Sequence, residues 1–253
     1  MERWKKIIQI LNQIVNLLII VCFLPILLYG IYGIWDSAHI YQHANASLYE
    51  TYKPNSKDKL SFEELQKINP EVFGWLTVKG THIDYPLVQA SNNSKYVNMD
   101  VKGEFSLTGS LFLDSRNQRN FVDMNNIIYG HNMEKKAMFG ELKNFGEKDF
   151  FEKHKYGELY YDDTWHEIEF FAFLQADAYD PILYNAELKG TDDCKMYLDY
   201  IMENAEQFRT LQFHGEEHFV VLSTCTSTST NGRQILIGKI TSKIKNINER
   251  VGK

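Results

Sequence analysis

Three side chains in this sequence could together form and break an acyl bond. Cys225 ends the apolar run "HFVVLST", Arg233 opens the run "RQILIGKITSKI", and His131 directly follows the run "NIIYG". A thiolate is a strong nucleophile and becomes more available beside an imidazole or a guanidinium. An imidazole at a strand end can deliver and remove protons, and a guanidinium fork suits the oxyanion that develops on an attacked carbonyl. The stretch between Cys225 and Arg233, "TSTSTNG", is rich in Ser, Thr, Asn and Gly and reads as a hairpin loop that brings two strand ends side by side. Each residue also has an ordinary reading, as a strand-end thiol, a satisfied or exposed histidine and a solvated edge arginine.

Two competing chemistries are weaker. "HGEEH", His214 to His218, matches an inverted zinc-binding pattern that needs both imidazoles on one helical turn. Gly215 inside the motif and "FVVLS" right after it point to a turn entering a strand, where residues four apart are about 13 Å apart and cannot share one ion. No metal is expected. Of the three cysteines, Cys22 lies in an apolar stretch, leaving Cys194 and Cys225. These could pair in an oxidising compartment, or leave a reactive thiol free; both options stand.

The elements that must position these residues are mainly short β-type runs. Eight of them, from "GWLTVKG" and "HIDYPLVQ" through "GSLFLD", "NIIYGH", "GELYY" and "HEIEFFAFLQA" to the two around Cys225 and Arg233, are bounded mostly by Gly, Asn, Asp or Pro. Between the sixth and seventh, "TDDCKMYLDYIMENAEQFR" places Met196, Tyr197, Tyr200, Ile201 and Ala205 at helical spacing. A β-barrel decorated by a few helices fits this pattern. Upstream, "SFEELQKINP" predicts a short helix with Ser61 as N-cap and Glu64 three residues on. Residues 36–60 read as a juxtamembrane helix and linker, and the folded domain is expected over 61–253.

Residues 1–35 differ in kind. Arg3, Lys5 and Lys6 precede an uncharged stretch from Leu17 to Trp35, long enough to cross a bilayer. The basic flank predicts a cytoplasmic N-terminus, with everything after Trp35 outside the cell. A cleaved signal peptide shares these features, but the stretch ends in bulky Tyr32 and Trp35 where a cleavage site needs small residues. The net charge is -6, and no Lys/Arg-rich run follows the first residues, so nucleic-acid binding has no support.

With these residues in hand, the chain resembles the sortases, membrane-anchored cysteine transpeptidases of Gram-positive bacteria. The resemblance rests on the N-terminal anchor, "YGH" with His131, "VLSTC" against the family's T-L-x-T-C, and Arg233 opening the next strand. Val221 in place of the first Thr is the one departure. The helical N-terminal extension and the inserted helix look like class B. The resemblance implies a mainly β fold, a closed eight-stranded sortase-type barrel with peripheral helices and a helix between strands 6 and 7.

It also implies a catalytic set of His131, Cys225 and Arg233, with Asn93, Val97, Tyr129, Ile182, Tyr184 and Ser223 along the substrate groove. The implied reaction cleaves a C-terminal sorting motif of NPQTN or SPKTG type after Thr, through a Cys225 thioester and without cofactor. The acyl group passes to an amine of a peptidoglycan precursor (lipid II) or of a pilin, and the donor is an exported protein bearing a sorting signal. Two other readings stand beside it. One is a membrane-tethered peptide-binding module without catalysis; the other is an L,D-transpeptidase-like wall enzyme, whose S-x-G-C-x-R pattern "STCTST" does not match.

Overall fold

The computed structural model of the chain describes residues 1–54, 59–226 and 230–243. The chain divides into two compact units, Met1–Gln42 and His43–Lys253. The first is one helix, α1 (Glu2–His43), with Pro25 in its interior. The apolar stretch and the expected juxtamembrane helix are therefore continuous. Its large apolar side chains from Ile7 to Trp35 point outward on all sides, with no single apolar stripe. Such a helix needs an apolar surrounding, and by length and composition it can cross a membrane.

The second unit is a barrel. Its strands are β1 (Val72–Val78), β2 (Asp84–Val88), β3 (Leu111–Leu113), β4 (Asn125–Tyr129), β5 (Tyr156–Tyr161), β6 (Thr164–Asp177), β7 (Gln207–Phe208), β8 (Phe219–Cys225) and β9 (Gly232–Lys243). The order β5-β1-β2-β3-β4-β8-β9-β6 closes on itself through a β5–β6 pairing, which makes eight strands around. Pairs β2–β3 and β4–β8 are parallel and the others antiparallel. The two-residue β7 is additional. It pairs with Ala172 and Phe173 of β6, beyond the Thr164–Glu169 stretch that β5 covers. An otherwise unpaired length of edge is thereby satisfied.

The run "FVVL" in β8 lacks the alternation of a half-wet strand because both of its faces are covered. Val220 and Leu222 pack inside the barrel with Trp75, Phe170 and Leu236. Phe219 and Val221 face outward into a second core with Ile127, Phe171, Ile235 and helix α4 (Gly190–Asn204). Helix α4 buries Cys194, Tyr197 and Ile201, while Met196 is 41% exposed. The buried stripe is thus rotated from the one the spacing suggested, toward the cysteine. Cys194 is buried, Cys225 is exposed, and neither is in a disulfide.

Helix α2 spans Lys59–Ile68, so Ser61 lies inside it and is not its N-cap, and the short helix α3 spans Lys148–Lys153. Residues 44–54, polar enough to read as linker, pack on the barrel. Tyr49 is buried, Tyr85 Oη donates to the Ala44 carbonyl at 2.8 Å, and Trp165 Nε1 donates to that of Pro54 at 3.1 Å. Lys53 pairs with Asp84 at 2.8 Å, and the same carboxylate accepts from Trp75 Nε1 and Thr77 Oγ1.

"HGEEH" forms a turn entering β8, with Gly215 at φ +92. The Glu217 carboxylate is buried; it accepts the backbone N–H groups of His214 and Gly215 and pairs with Lys239 at 3.3 Å. Burial raises its pKa, but those donors outweigh burial and hold it below the ordinary carboxylate value. His218 Nδ1 contacts the Asp123 carbonyl at 3.1 Å. Among the described residues no three His, Cys, Asp or Glu side chains gather as metal ligands.

Candidate active site

Strand register brings the catalytic candidates together. In the parallel pair β4–β8, Tyr129 is opposite Ser223. His131 and Cys225 each follow two residues later, on adjacent strand ends. Strand neighbours lie about 5 Å apart, and two bonds carry the alignment past the end of β4. Gly130 N donates to the Ser223 carbonyl at 3.2 Å, and Asn132 Nδ2 donates to that of Cys225 at 2.9 Å. On the other side, Cys225 pairs with Arg233 in the antiparallel β8–β9 ladder, and Thr226 N donates to the Gly232 carbonyl at 2.9 Å. The middle of the connecting loop, residues 227–229, lies outside the described residues.

The histidine is fixed from one side. His131 Nε2 lies 2.7 Å from the Val97 carbonyl oxygen. A carbonyl only accepts, so Nε2 carries the proton and Nδ1 is the nitrogen left for exchange. Two glycines make room for this arrangement. Gly109 has φ +58, and a Cβ there would lie 2.5 Å from the Val97 oxygen and 3.1 Å from His131 Cδ2. A Cβ at Gly130 would lie 2.3 Å from Leu111 Cδ2. The His131 carbonyl accepts from Phe139 N at 3.0 Å, closing the 131–139 loop behind it.

His131, exposed Cys225 and half-buried Arg233 line one cleft of about 810 Å³. Asn93, Val97, Tyr129, Tyr184 and Ser223 line it too. Tyr184 Oη and Ser223 Oγ are 2.7 Å apart, and the rings of Tyr184 and Tyr129 stack at 6.3 Å. Burial pushes the Tyr184 phenol up to about 12, although Ser223 and the Arg233 guanidinium oppose the shift. The Tyr129 phenol is raised as well, first by burial and then by the charge of Asp114, to which it donates at 2.9 Å.

Ile182 is the exception. It lines a separate depression against α4, with Met196 and Tyr200. The cause is Asp180, whose Oδ1 accepts the backbone N–H of Ile182 at 2.9 Å and of Leu183 at 2.8 Å, while its Oδ2 accepts from Tyr200 Oη. That turn directs Ile182 to the helix, Leu183 to the outer core and Tyr184 to the cleft. Sequence reading missed Phe112, Arg116, Asp180 and Thr224, which also line the cleft. It missed the fully buried Asp114 as well. The available signal was "LFLDSRN", in which polar residues follow a strand directly, as they do in "YGHN" and "STCT".

A thiol, an imidazole with one exchangeable nitrogen and a planar cation around one groove can perform acyl transfer on an extended peptide. No family model matches the chain. Sortase B of Listeria monocytogenes is 33% identical over 195 residues, which is 76% of this chain and 79% of that protein. The class B sortase of Streptococcus pyogenes involved in pilus biogenesis has 45% identity and a TM-score of 0.66, over 72% of this chain and 98% of that one. The sortase B from the type II pilus of Streptococcus pneumoniae has 40% identity and a TM-score of 0.63, over 75% and 99%.

Proposed function

We propose that this chain, which belongs to the class B sortases and is a cysteine transpeptidase of that family, carries out its acyl transfer with Cys225, His131 and Arg233. The observation that carries the reading is the convergence of the three on one cleft through the β4–β8–β9 ladder. The Cys225 thiol gives its proton to His131 Nδ1, the resulting thiolate attacks the carbonyl carbon of the Thr in a sorting motif, and the carbonyl electron pair moves to the oxygen, where the Arg233 fork meets it. Collapse expels the amine, which takes a proton from His131 Nδ1–H, and the thioester remains. An incoming amine gives its proton to Nδ1 as it displaces the thiolate, so one nitrogen serves as acid and then base. The thioester retains the energy of the broken amide, so the cycle needs no cofactor.

The donor is an exported protein with a C-terminal motif of NPQTN or SPKTG type, and the acceptor is an amine of the peptidoglycan precursor. A pilin amine is the second acceptor reading. It is favoured by the 45% and 40% identity to sortases of pilus systems, against 33% to the Listeria relative. Helix α1 serves as the anchor, with the N-terminus cytoplasmic and the domain that follows it outside the cell, as the basic residues before Leu17 support. A catalytic domain over 61–253, joined to the anchor through residues 36–60, remains the proposed division, with residues 44–54 packed onto that domain.

The test is mass spectrometry of the detergent-solubilised full chain with both motif peptides and, in turn, triglycine and a lysine-bearing pilin peptide. An acyl-enzyme at Cys225 that vanishes on amine addition is expected, and it is absent in Cys225→Ala. A Cys225→Ala variant that still cleaves would refute the reading.

A further inference from the structure

The groove wall has a common support that takes no part in the chemistry. Asp114 follows β3, is fully buried, and lies behind the cleft. Its Oδ1 accepts from Arg116 N and Arg116 Nε, both at 2.9 Å. Its Oδ2 accepts from Arg116 Nη2 at 2.7 Å, Asn93 Nδ2 at 3.0 Å and Tyr129 Oη at 2.9 Å. Three of the five donors thus come from Arg116, in bidentate side-chain geometry with a backbone bond added. The network continues outward. Arg116 Nη2 also donates to the Tyr184 carbonyl at 3.2 Å, and Asn93 Oδ1 accepts Ser115 N at 2.8 Å. One carboxylate therefore ties together the 93–97 segment, the end of β4 and the 181–184 turn, three separate stretches that line the cleft.

An isolated buried carboxylate is strongly disfavoured, and an apolar residue in its place would pack without that penalty. Retaining it needs a compensating role. Among the described residues Asp114 has no bond to His131, Cys225 or Arg233, so the role lies with the wall. We propose that Asp114 is the positioning residue of the substrate wall, holding Asn93, Tyr129 and Arg116 in place so that an extended peptide meets a preformed surface. Without it, ordering those side chains becomes part of binding, and the loss falls on KM while the chemistry at Cys225 is spared. Asp114→Asn keeps the shape but turns one acceptor into a donor, so five donors compete for a single oxygen and the Arg116 charge loses its partner. This inference rests on the cleft binding the sorting peptide as proposed above.

The test uses the full chain in detergent, with steady-state cleavage of a fluorogenic sorting peptide to separate kcat from KM. The rate at which iodoacetamide modifies Cys225, followed by mass spectrometry, reports the catalytic end without substrate. For Asp114→Asn, KM should rise about tenfold or more, as expected for loss of charged hydrogen bonds. The kcat and the alkylation rate should stay within about threefold, as expected when the groups that react are untouched. Tyr129→Phe and Asn93→Ala should each raise KM by less, and each should combine with Asp114→Asn less than additively. If Asp114→Asn does not fold, Tyr129→Phe carries the test, and an unchanged KM there overturns the assignment. An unchanged KM in Asp114→Asn, or equal losses in KM, kcat and alkylation, also overturns it. A wild-type chain that forms no thioester at all would instead sink the functional reading, and this inference with it.

Discussion

Gly109→Ala should disable the enzyme from a position that is not among the cleft-lining residues. At φ +58 an alanine adopts a left-handed backbone that costs about 1 kcal/mol or slightly more relative to glycine. The new methyl would also sit 2.5 Å from the Val97 oxygen and 2.7 Å from the Tyr96 oxygen, both backbone atoms that cannot swing aside. Overpacking of this kind adds about 1–3 kcal/mol. The sum, about 2–4 kcal/mol, corresponds to a melting temperature lower by roughly 4–16 °C for a domain of this size. The displaced atom is the acceptor that orients His131, and a misplacement of about 1 Å at a reacting group can cost about a hundredfold in rate. The kcat should therefore fall by about tenfold to a hundredfold, and KM should rise too, because the displaced 96–97 backbone belongs to the segment that lines the cleft. Gly103→Ala is the control, because its φ is +88 but nothing lies within 4 Å of the added Cβ. It isolates the backbone term, so a loss of about 1 kcal/mol and full activity are expected. Thermal melts and fluorogenic peptide cleavage on both variants decide the matter. If Gly109→Ala is as active as Gly103→Ala, the Val97 carbonyl does not orient the histidine.

Further outcomes follow from other contacts. Arg233→Lys should lower kcat/KM by about tenfold or more, since a point charge does not reproduce the planar fork, while Cys225 alkylation continues; peptide kinetics read this directly. His131→Ala should leave Cys225 in place yet form no acyl-enzyme on the turnover timescale, visible by mass spectrometry. Glu217 has its folded pKa below its unfolded one, so its stabilisation is present above the unfolded value and lost as pH falls through the folded value. Denaturant midpoints of wild type should accordingly fall more steeply than those of Glu217→Gln from about pH 5 downward. Parallel slopes would show that the carboxylate charge does not matter there.

The sequence was most informative where local pattern and tertiary position coincide. All eight barrel strands were legible as runs between turn residues, because β-type composition and its Gly, Asn and Asp boundaries are local properties. His131, Cys225 and Arg233 stand at the ends of such runs, so their place at strand ends followed once the strands were identified. Tertiary structure decided the rest. The two residues of β7 carry no pattern of their own and pair because β6 outruns β5. Residues 44–54 look like linker until Ala44 and Pro54 meet Tyr85 and Trp165 across the fold and Tyr49 is buried. Ile182 was expected in the groove, but Asp180 captures its backbone and turns it to α4. Asp114, an unremarkable acid in "LDSRN", gains meaning only when three distant segments deliver donors to it. Strand identity depends on neighbours in sequence, whereas the facing of a loop residue and the partners of a buried charge depend on neighbours in space.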